Sequence, residues 1–126
     1  MWTAQVGDVS LWLLGPGGWN RRTGVEKQGL DRNTVNSVLP FAVDRAVENV
    51  VDVPLGHVVA VMTDGLGDVL TNVAGAQQFY SRRWARPPHP TRFVGDLCVD
   101  AKGQTDDRTA VAVWCGSPVA AAQELP

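Results

Sequence analysis

The sequence is poor in the residues on which several common classes of protein depend. It has two cysteines and two histidines among its 126 residues, and Cys98 and Cys115 form neither a close-spaced pair nor a zinc-binding pattern. No segment approaches the ~20 consecutive apolar residues of a membrane span. No basic segment precedes an apolar core, as it would in a secretory signal. We therefore expect a cytoplasmic protein with two buried, reduced thiols and no membrane partner.

Charge of one sign is not in excess either. The chain carries 11 basic and 13 acidic residues, for a formal net charge of −2, and this balance argues against a general role in binding nucleic acid. What is present is an ordinary globular composition, with 44% hydrophobic and 19% charged residues, in a length that suits one domain. We place that domain at residues 1–116. Residues 117–126 are rich in Ala and Pro and are expected to form a flexible tail.

Apolar patterns predict mainly strands in the first half of the chain. Trp2–Val6 and Ser10–Leu14 have the periodicity of strands, and the break between them suggests a hairpin or a bulge. Residues 19–36 are polar and aperiodic, which predicts a loop with a short strand at its start. Arg45–Val53 alternates as an edge strand would. The continuous apolar run Val58–Met62 predicts a buried central strand.

The second half of the chain has the spacing of helices. A helical turn is predicted at 66–70, a helix from about 73 to 84, and a better-defined helix from 90 to about 102. The last of these has an apolar stripe formed by Phe93, Val94, Leu97, Cys98 and Ala101. A final strand is predicted at 108–115. Strands followed by a strand–helix–helix–strand order predict an α+β fold with helices packed on a mainly antiparallel sheet.

Three aspartates lie where predicted strands begin or end: Asp8, Asp64 and Asp106. If these turns meet at one edge of the sheet, their charges repel by roughly 4 kcal/mol per pair at ~4 Å and an effective dielectric near 20. A bound cation is one way in which a folded protein relieves such repulsion. Oxygen ligands without histidine favour Mg²⁺ or Mn²⁺ over zinc. The sequence thus predicts a carboxylate metal site that could activate water for hydrolysis of a phosphate ester.

Each of these residues also has a purely structural explanation, because Asp-Gly turns and aspartates before strands are common. Asp96 and Asp100, on the polar face of the 90–102 helix, are expected to be solvated or paired. His57 and His89 are expected at the surface rather than in a catalytic role. The tryptophans are expected in the core or at its edge: they are Trp2, Trp12, Trp19, Trp84 and Trp114.

Three segments in order carry a family resemblance. They are Val6-Gly7-Asp8 before an apolar strand, Thr63-Asp64-Gly65-Leu66, and Asp106-Asp107-Arg108-Thr109 before the final strand. This series resembles the metal-dependent protein phosphatases of the PPM, or phosphatase 2C, type, and especially their short bacterial branch. The resemblance covers almost the whole chain but only about the C-terminal half of such a domain. It implies a partial α-β-β-α sandwich of mainly antiparallel sheets whose N-terminal part is missing.

The resemblance implies a role for each matching aspartate. Asp64 resembles the Asp of the family's Ser/Thr-Asp-Gly motif, and Asp106 resembles the Asp of its Asp-Asn-x-Thr motif, both of which are ligands of one metal ion. Asp8 resembles the Gly-Asp-Ser aspartate, which in some members helps to hold a third, weaker metal ion. The implied cofactor is Mg²⁺ or Mn²⁺. The implied reaction is direct attack of a metal-activated water on a phosphoserine or phosphothreonine of a protein substrate.

The chain also departs from the family pattern. Asp107 replaces the usual Asn, and Val9 separates Asp8 from Ser10. The family's N-terminal Asp-Gly motif, whose Asp bridges both metal ions, has no counterpart, and neither has the Arg that binds the substrate phosphate. We therefore expect a truncated phosphatase fragment with little or no activity by itself, and with exposed sheet edges and apolar faces. The alternative is a non-catalytic, phosphatase-like module that binds a partner or a phosphorylated peptide; the oligomeric state stays open.

Overall fold

The fold is α+β, with antiparallel sheets and three α-helices among the residues that the structure describes. The computed structural model describes residues 1–23, 40–41, 43–101 and 103–116. The strands are β1 (Trp2–Gln5), β2 (Ser10–Gly15), β3 (Gly18–Thr23), β4 (Val47–Val50), β5 (Val58–Met62) and β6 (Ala110–Trp114). The helices are α1 (Asp64–Asn72), α2 (Ala76–Trp84) and α3 (Pro90–Leu97), and a 3-10 turn covers Val43–Arg45. The predicted tail at 117–126 and most of the predicted loop lie outside the described residues.

The main sheet is antiparallel and has the strand order β3-β2-β5-β6. β5 is an interior strand, as its continuous apolar run predicts, and Val58, Val59, Ala60 and Met62 are buried in it. The short strand predicted at the start of the 19–36 segment is confirmed as β3. No helix in the described part of the chain is long and apolar enough to cross a membrane.

One face of the main sheet is covered by the helices. Successive strand side chains point to opposite faces, so Trp12, Ala60 and Met62 share the face on which α1 and α2 pack. Trp84 lies at the centre of this packing, with its ring centroid 5.9 Å from that of Trp19 and 5.4 Å from that of Tyr80. Trp84 is fully buried. These apolar contacts fix the helices on the sheet.

The opposite face of the main sheet is only partly covered. Leu11, Leu13 and Val59 are buried there together with Val51. At the β6 side of the same face, Val111 and Val113 expose 65% and 55% of their surface, and Val61 on β5 exposes 40%. An exposed apolar face, which the sequence predicts, is thus present on this side of the sheet.

The predicted hairpin between the first two strands is wrong. β1 pairs with β4 in a separate two-stranded sheet, in which Trp2 lies opposite Val50. The reason is that a strand has two edges, and both edges of β2 are used by β3 and β5. The pairing also leaves Trp2 76% exposed, against the expectation that it packs in or beside the core. The other four tryptophans are buried or half-buried, as predicted.

Helix α3 differs from its prediction in length and in its buried face. It ends at Leu97, and Val94 and Cys98, which were assigned to the apolar stripe, are exposed. Asp96, expected on the polar face of this helix as a solvated or paired residue, is paired but 0% exposed. Its carboxylate accepts hydrogen bonds from Arg83 Nε at 2.5 Å and Trp84 Nε1 at 2.9 Å. The prediction fails because a stripe drawn through apolar residues alone cannot find a buried carboxylate whose partners lie on another helix.

The two cysteines are free thiols, but they are not buried as predicted. Cys98 is exposed just after α3, and Cys115 is half-buried just after β6. His89 is exposed, and its ring accepts a hydrogen bond from Thr91 N at the start of α3. His57 is half-buried, with Nδ1 3.4 Å from the carbonyl oxygen of Leu55.

Candidate functional site

The candidate site lies on the side of the main sheet where the strands end, at the meeting point of β2, β5 and β6. Ser10 at the start of β2 pairs with Met62 at the end of β5, and Met62 also pairs with Ala110 at the start of β6. The segments that carry Asp8, Asp64 and Asp106 therefore leave the sheet at the same edge. We call this edge the rim and define it as Asp8, Thr63–Gly65 and Asp106–Thr109.

Helix α1 begins at the rim, directly after β5. Thr63 is its N-cap residue, with φ −69° and ψ 164°. The carbonyl oxygen of Thr63 accepts hydrogen bonds from Leu66 N at 3.2 Å and Gly67 N at 3.0 Å. Asp64, the first helical residue, accepts a hydrogen bond from Gly65 N at 2.9 Å through Oδ1. An acidic side chain is a common residue in this position, because the first turn of a helix carries partial positive charge.

The hydroxyl group of Thr63 joins α1 to the segment before β6. Thr109 N donates a hydrogen bond to Thr63 Oγ1 at 3.0 Å, and Thr63 Oγ1 donates one to the carbonyl oxygen of Asp107 at 3.3 Å. Thr63 N donates to the carbonyl oxygen of Thr109 at 3.0 Å. The β5–β6 pairing thus continues one residue beyond the strands, between Thr63 and Thr109. The hydroxyl oxygen of Thr63 accepts the hydrogen bond from Thr109 N, because the carbonyl oxygen of Thr63 accepts hydrogen bonds from α1.

Gly65 allows this segment to lie directly against the first turn of α1. A Cβ at position 65 would overlap the carbonyl oxygen of Asp107 and would lie 3.0 Å from that of Asp106. Both obstacles are backbone atoms, which cannot rotate away. The structure therefore brings the backbones at Asp64 and at Asp106 side by side, and the Gly of the Asp-Gly pair is required by this contact.

The same helix also meets the start of β2. A Cβ at Gly67 would lie 3.0 Å from Ser10 Oγ. That hydroxyl group is buried and accepts a hydrogen bond from Trp12 Nε1 at 2.9 Å. The two glycines in α1 thus let the helix lie close to the start of β2, at Ser10, and close to the rim, at Asp107.

The carboxylates of the rim differ in exposure. Asp106 and Asp107 are exposed, whereas Asp8 and Asp64 are half-buried. All of them are oxygen donors, which suits a hard cation such as Mg²⁺ or Mn²⁺. Within the described ranges, no three side chains of His, Cys, Asp or Glu are grouped so that they could hold a metal ion. The donor chemistry at the rim therefore fits such a cation, although the described residues do not form a complete ligand set.

Arg108 holds the segment before β6 from the other side. Its NH1 group donates to the carbonyl oxygen of Leu97 at 3.4 Å and also to that of Val99, and its NH2 group donates to the carbonyl oxygen of Gln104 at 3.0 Å. Its Nε is buried and has no hydrogen-bond partner among the described residues. The guanidinium group is thus engaged with the backbone after α3 rather than extended toward the rim carboxylates.

An open depression of about 760 Å³ adjoins this part of the rim. It is lined by Asp106, Asp107 and Arg108 from the rim and by Cys98 and Asp100 from the segment after α3, together with neighbouring residues. Asp106 and Asp107 are thereby accessible from solvent.

Sequence reasoning found the rim aspartates but missed the residues that arrange them. Thr63 and Arg108 belong to the quoted motifs, yet neither was assigned a role. For Thr63 a signal was present, since a Thr directly before a helix is a common N-cap. The structure shows that its hydroxyl group serves the neighbouring strand instead.

The known proteins add no further identification. Comparison of the chain with protein-family models, with curated proteins and with solved structures finds no match in any of the three.

Proposed function

We propose that this chain is the C-terminal portion of a PPM-type protein serine/threonine phosphatase domain. In this proposal the main sheet with its helices is one half of an α-β-β-α sandwich. The observation that supports it best is the contact between the Asp64 turn and the Asp106–Asp107 backbone, made through Thr63 and Gly65. Two of the three motifs behind the resemblance meet there, although 42 residues separate Asp64 from Asp106 (106 − 64) in the sequence.

Asp64 and Asp106 would hold a Mg²⁺ or Mn²⁺ ion, with Asp8 near a weaker one. When bound, such an ion lowers the pKa of its water and offsets the charge of a phosphate. The chain's own residues keep the two carboxylates at one edge and leave Asp106 open to solvent. The substrate would be a protein that carries phosphoserine or phosphothreonine.

The proposal assigns the remaining ligands to a region that this chain does not supply. The Asp that bridges the two metal ions in the family has no counterpart here, and Arg108 is engaged with backbone carbonyl oxygens. We therefore expect Mn²⁺-dependent hydrolysis of p-nitrophenyl phosphate to be negligible for the chain alone. Hydrolysis should appear in a longer chain that carries an Asp-Gly motif upstream of Met1.

Variants of the longer chain test the assignment. Asp64→Asn and Asp106→Asn should each lower kcat/KM by a factor of at least about 100, since changes in residues that only orient a metal ligand already cost about 10–100-fold. Asp52→Asn is a matched control, because Asp52 is exposed and is not part of the rim. Full activity in both rim variants would contradict the proposed function.

A second candidate is a non-catalytic, phosphatase-like interaction module. It is favoured by the exposed valine face formed by Val61, Val111 and Val113, because contiguous exposed apolar surface commonly marks a binding site. Mn²⁺ binding at the rim distinguishes the two candidates. An interaction module would bind no Mn²⁺ at the rim, and Asp64→Asn would leave partner binding unchanged.

A further inference from the structure

We propose that Thr63 is a positioning residue whose hydroxyl group fastens the Asp106–Asp107 segment to the first turn of α1. The separation of the Asp64 and Asp106 carboxylates would then depend on this one side chain. The consequence for cation binding rests on the proposed function. The positioning itself rests only on the hydrogen bonds and packing at the rim.

The polar atoms of Thr63 serve two different elements. A Thr at an N-cap usually accepts a hydrogen bond from the helix backbone through its hydroxyl oxygen. Here α1 uses the carbonyl oxygen of Thr63, and no hydrogen bond joins the hydroxyl group to the helix. The hydroxyl group is bonded to Thr109 N and to the carbonyl oxygen of Asp107 instead. The carbonyl oxygen of Thr63 therefore begins helix α1, while its hydroxyl group binds the segment before β6.

The segment before β6 is closely packed against the first turn of α1. The carbonyl oxygens of Asp106 and Asp107 lie so near Gly65 that no Cβ could be accommodated there. Such an approach needs an attractive contact that keeps the segment in place. The two hydrogen bonds of the Thr63 hydroxyl group supply it, because one of them ends on the same Asp107 carbonyl oxygen that faces Gly65.

The segment before β6 is held from two sides. Arg108 binds the backbone at Leu97, Val99 and Gln104, on the α3 side. Thr63 binds Asp107 and Thr109, on the α1 side. Loss of the Thr63 hydroxyl group would leave the α3 side and the backbone bond from Thr63 N to the Thr109 carbonyl oxygen intact, and would remove the contacts of the hydroxyl group with Asp107 and with Thr109 N. The expected defect is local to the rim.

Amide hydrogen exchange followed by NMR tests the positioning directly. Thr63→Val keeps the shape of the side chain and removes the hydroxyl group, and Thr63→Ser keeps the hydroxyl group. In Thr63→Val the Thr109 amide should exchange about tenfold faster or more, because its acceptor is lost. In Thr63→Ser the rate should stay within about twofold of the wild type. The amide of Ala60, a fully buried residue in the centre of β5, reports whether the sheet remains folded.

Thr71→Val is the matched control. Thr71 lies on the same helix, and its hydroxyl group donates a hydrogen bond to the carbonyl oxygen of Gly67 at 2.8 Å, away from the β6 segment. This variant should leave Thr109 exchange unchanged. Unchanged Thr109 exchange in Thr63→Val, with Ala60 still protected, would overturn the proposal.

The Mn²⁺ affinity of the longer chain, which supplies the remaining ligands, tests the link to the proposed function when it is measured by water proton relaxation. Thr63→Val should weaken Mn²⁺ binding about tenfold, within the range known for residues that orient metal ligands, and Thr63→Ser should restore it. If the wild type binds no Mn²⁺ while Thr109 exchange responds as described, the proposed function fails and the positioning role stands. If the wild type binds Mn²⁺ and Thr63→Val binds it equally well, the claim that Thr63 sets the carboxylate separation is overturned.

Discussion

Asp96 and Asp106 are the same residue type in two very different settings. Asp96 is fully buried behind α2, and its carboxylate is bonded to Arg83 and Trp84. Asp106 is exposed at the rim, where its backbone rather than its carboxylate is packed against α1. The comparison teaches that the role of a carboxylate follows from its burial and its partners. Asp96 joins two helices, whereas Asp106 is held in place with its side chain accessible.

The two settings also differ in what stabilises them. Around Asp96 the contacts are aromatic and apolar, and Trp114 Nε1 adds a hydrogen bond to the carbonyl oxygen of Trp84 at 2.7 Å. At the rim, the contacts are hydrogen bonds between a hydroxyl group and backbone atoms. Changes near Asp96 should therefore affect global stability, and changes at the rim should affect local geometry and binding.

The largest effect on stability is expected from Asp96→Ala. The change leaves the Trp84 indole N–H without its acceptor and Arg83 without its counter-charge, and it opens a cavity between α2 and α3. Breaking a buried ion pair in this way costs about 3 kcal/mol or more, even though Arg83 keeps some access to water. Urea unfolding measures the loss of stability.

Asp100→Asn is the control. It lies at an exposed position beyond α3 and should change stability by less than about 0.5 kcal/mol. Equal effects of the two changes would remove the distinction between Asp96 and a surface carboxylate.

An intermediate effect is expected from Gly65→Ala. Alanine favours a helix over glycine by about 1 kcal/mol, but here its Cβ meets the Asp107 carbonyl oxygen. We expect a net loss of about 1–3 kcal/mol from the forced overlap. Gly95→Ala in α3 is the matched control, since nothing lies within 4 Å of its Cβ position. Gly95→Ala should stabilise the protein by up to about 1 kcal/mol. Thermal unfolding of both variants shows whether each change raises or lowers the stability. Stabilisation by both changes would mean that the β6 segment does not lie against α1.

The smallest effect is expected from Tyr80 and depends on pH. Burial raises the pKa of Tyr80 above its ordinary value of 10.0, and the nearby charge of Asp96 raises it further, while Arg108 and Arg83 act in the opposite direction. The folded state thus holds the phenol proton more tightly than the unfolded state. The resulting stability is fully present below about pH 10 and is lost as the pH rises through the higher pKa of the folded state.

Tyr80 is the only tyrosine in the chain, so phenolate absorbance reports its titration without interference. Its midpoint in the native protein should lie above that in denaturant. Tyr80→Phe should reduce the loss of stability above pH 10 and should cost about 1 kcal/mol at neutral pH, because the hydroxyl group donates to the carbonyl oxygen of Asp96 at 2.9 Å. Equal midpoints in the native and denatured protein would contradict the burial of the Tyr80 hydroxyl group.

Part of this architecture could be predicted from the sequence. The continuous apolar run Val58–Met62 gave the interior strand, and the break after it gave the start of a helix. These features are local, because they depend on period and on turn residues. The partner of β1 could not be predicted, since strand pairing depends on which edges are already occupied.

The candidate site was predictable to a similar extent. The positions of Asp8, Asp64 and Asp106 at strand ends were visible in the sequence, and the antiparallel register brings those ends to one edge. The burial of Asp96 and the hydroxyl bonds of Thr63 were not visible, because each depends on a partner at least 12 residues away. A motif gives residue types and spacing, and the partner of a polar atom is set by the folded chain.

The most direct test of the central claim, that Asp64 and Asp106 act together on one cation, is a double-mutant cycle on Mn²⁺ affinity. The wild type, Asp64→Asn, Asp106→Asn and the double variant would be compared by water proton relaxation. Two ligands of one ion are predicted to be strongly non-additive: each single change should weaken binding about tenfold or more, and the double change should weaken it little further. Independent, additive losses, or single variants that bind Mn²⁺ as well as the wild type, would contradict the account.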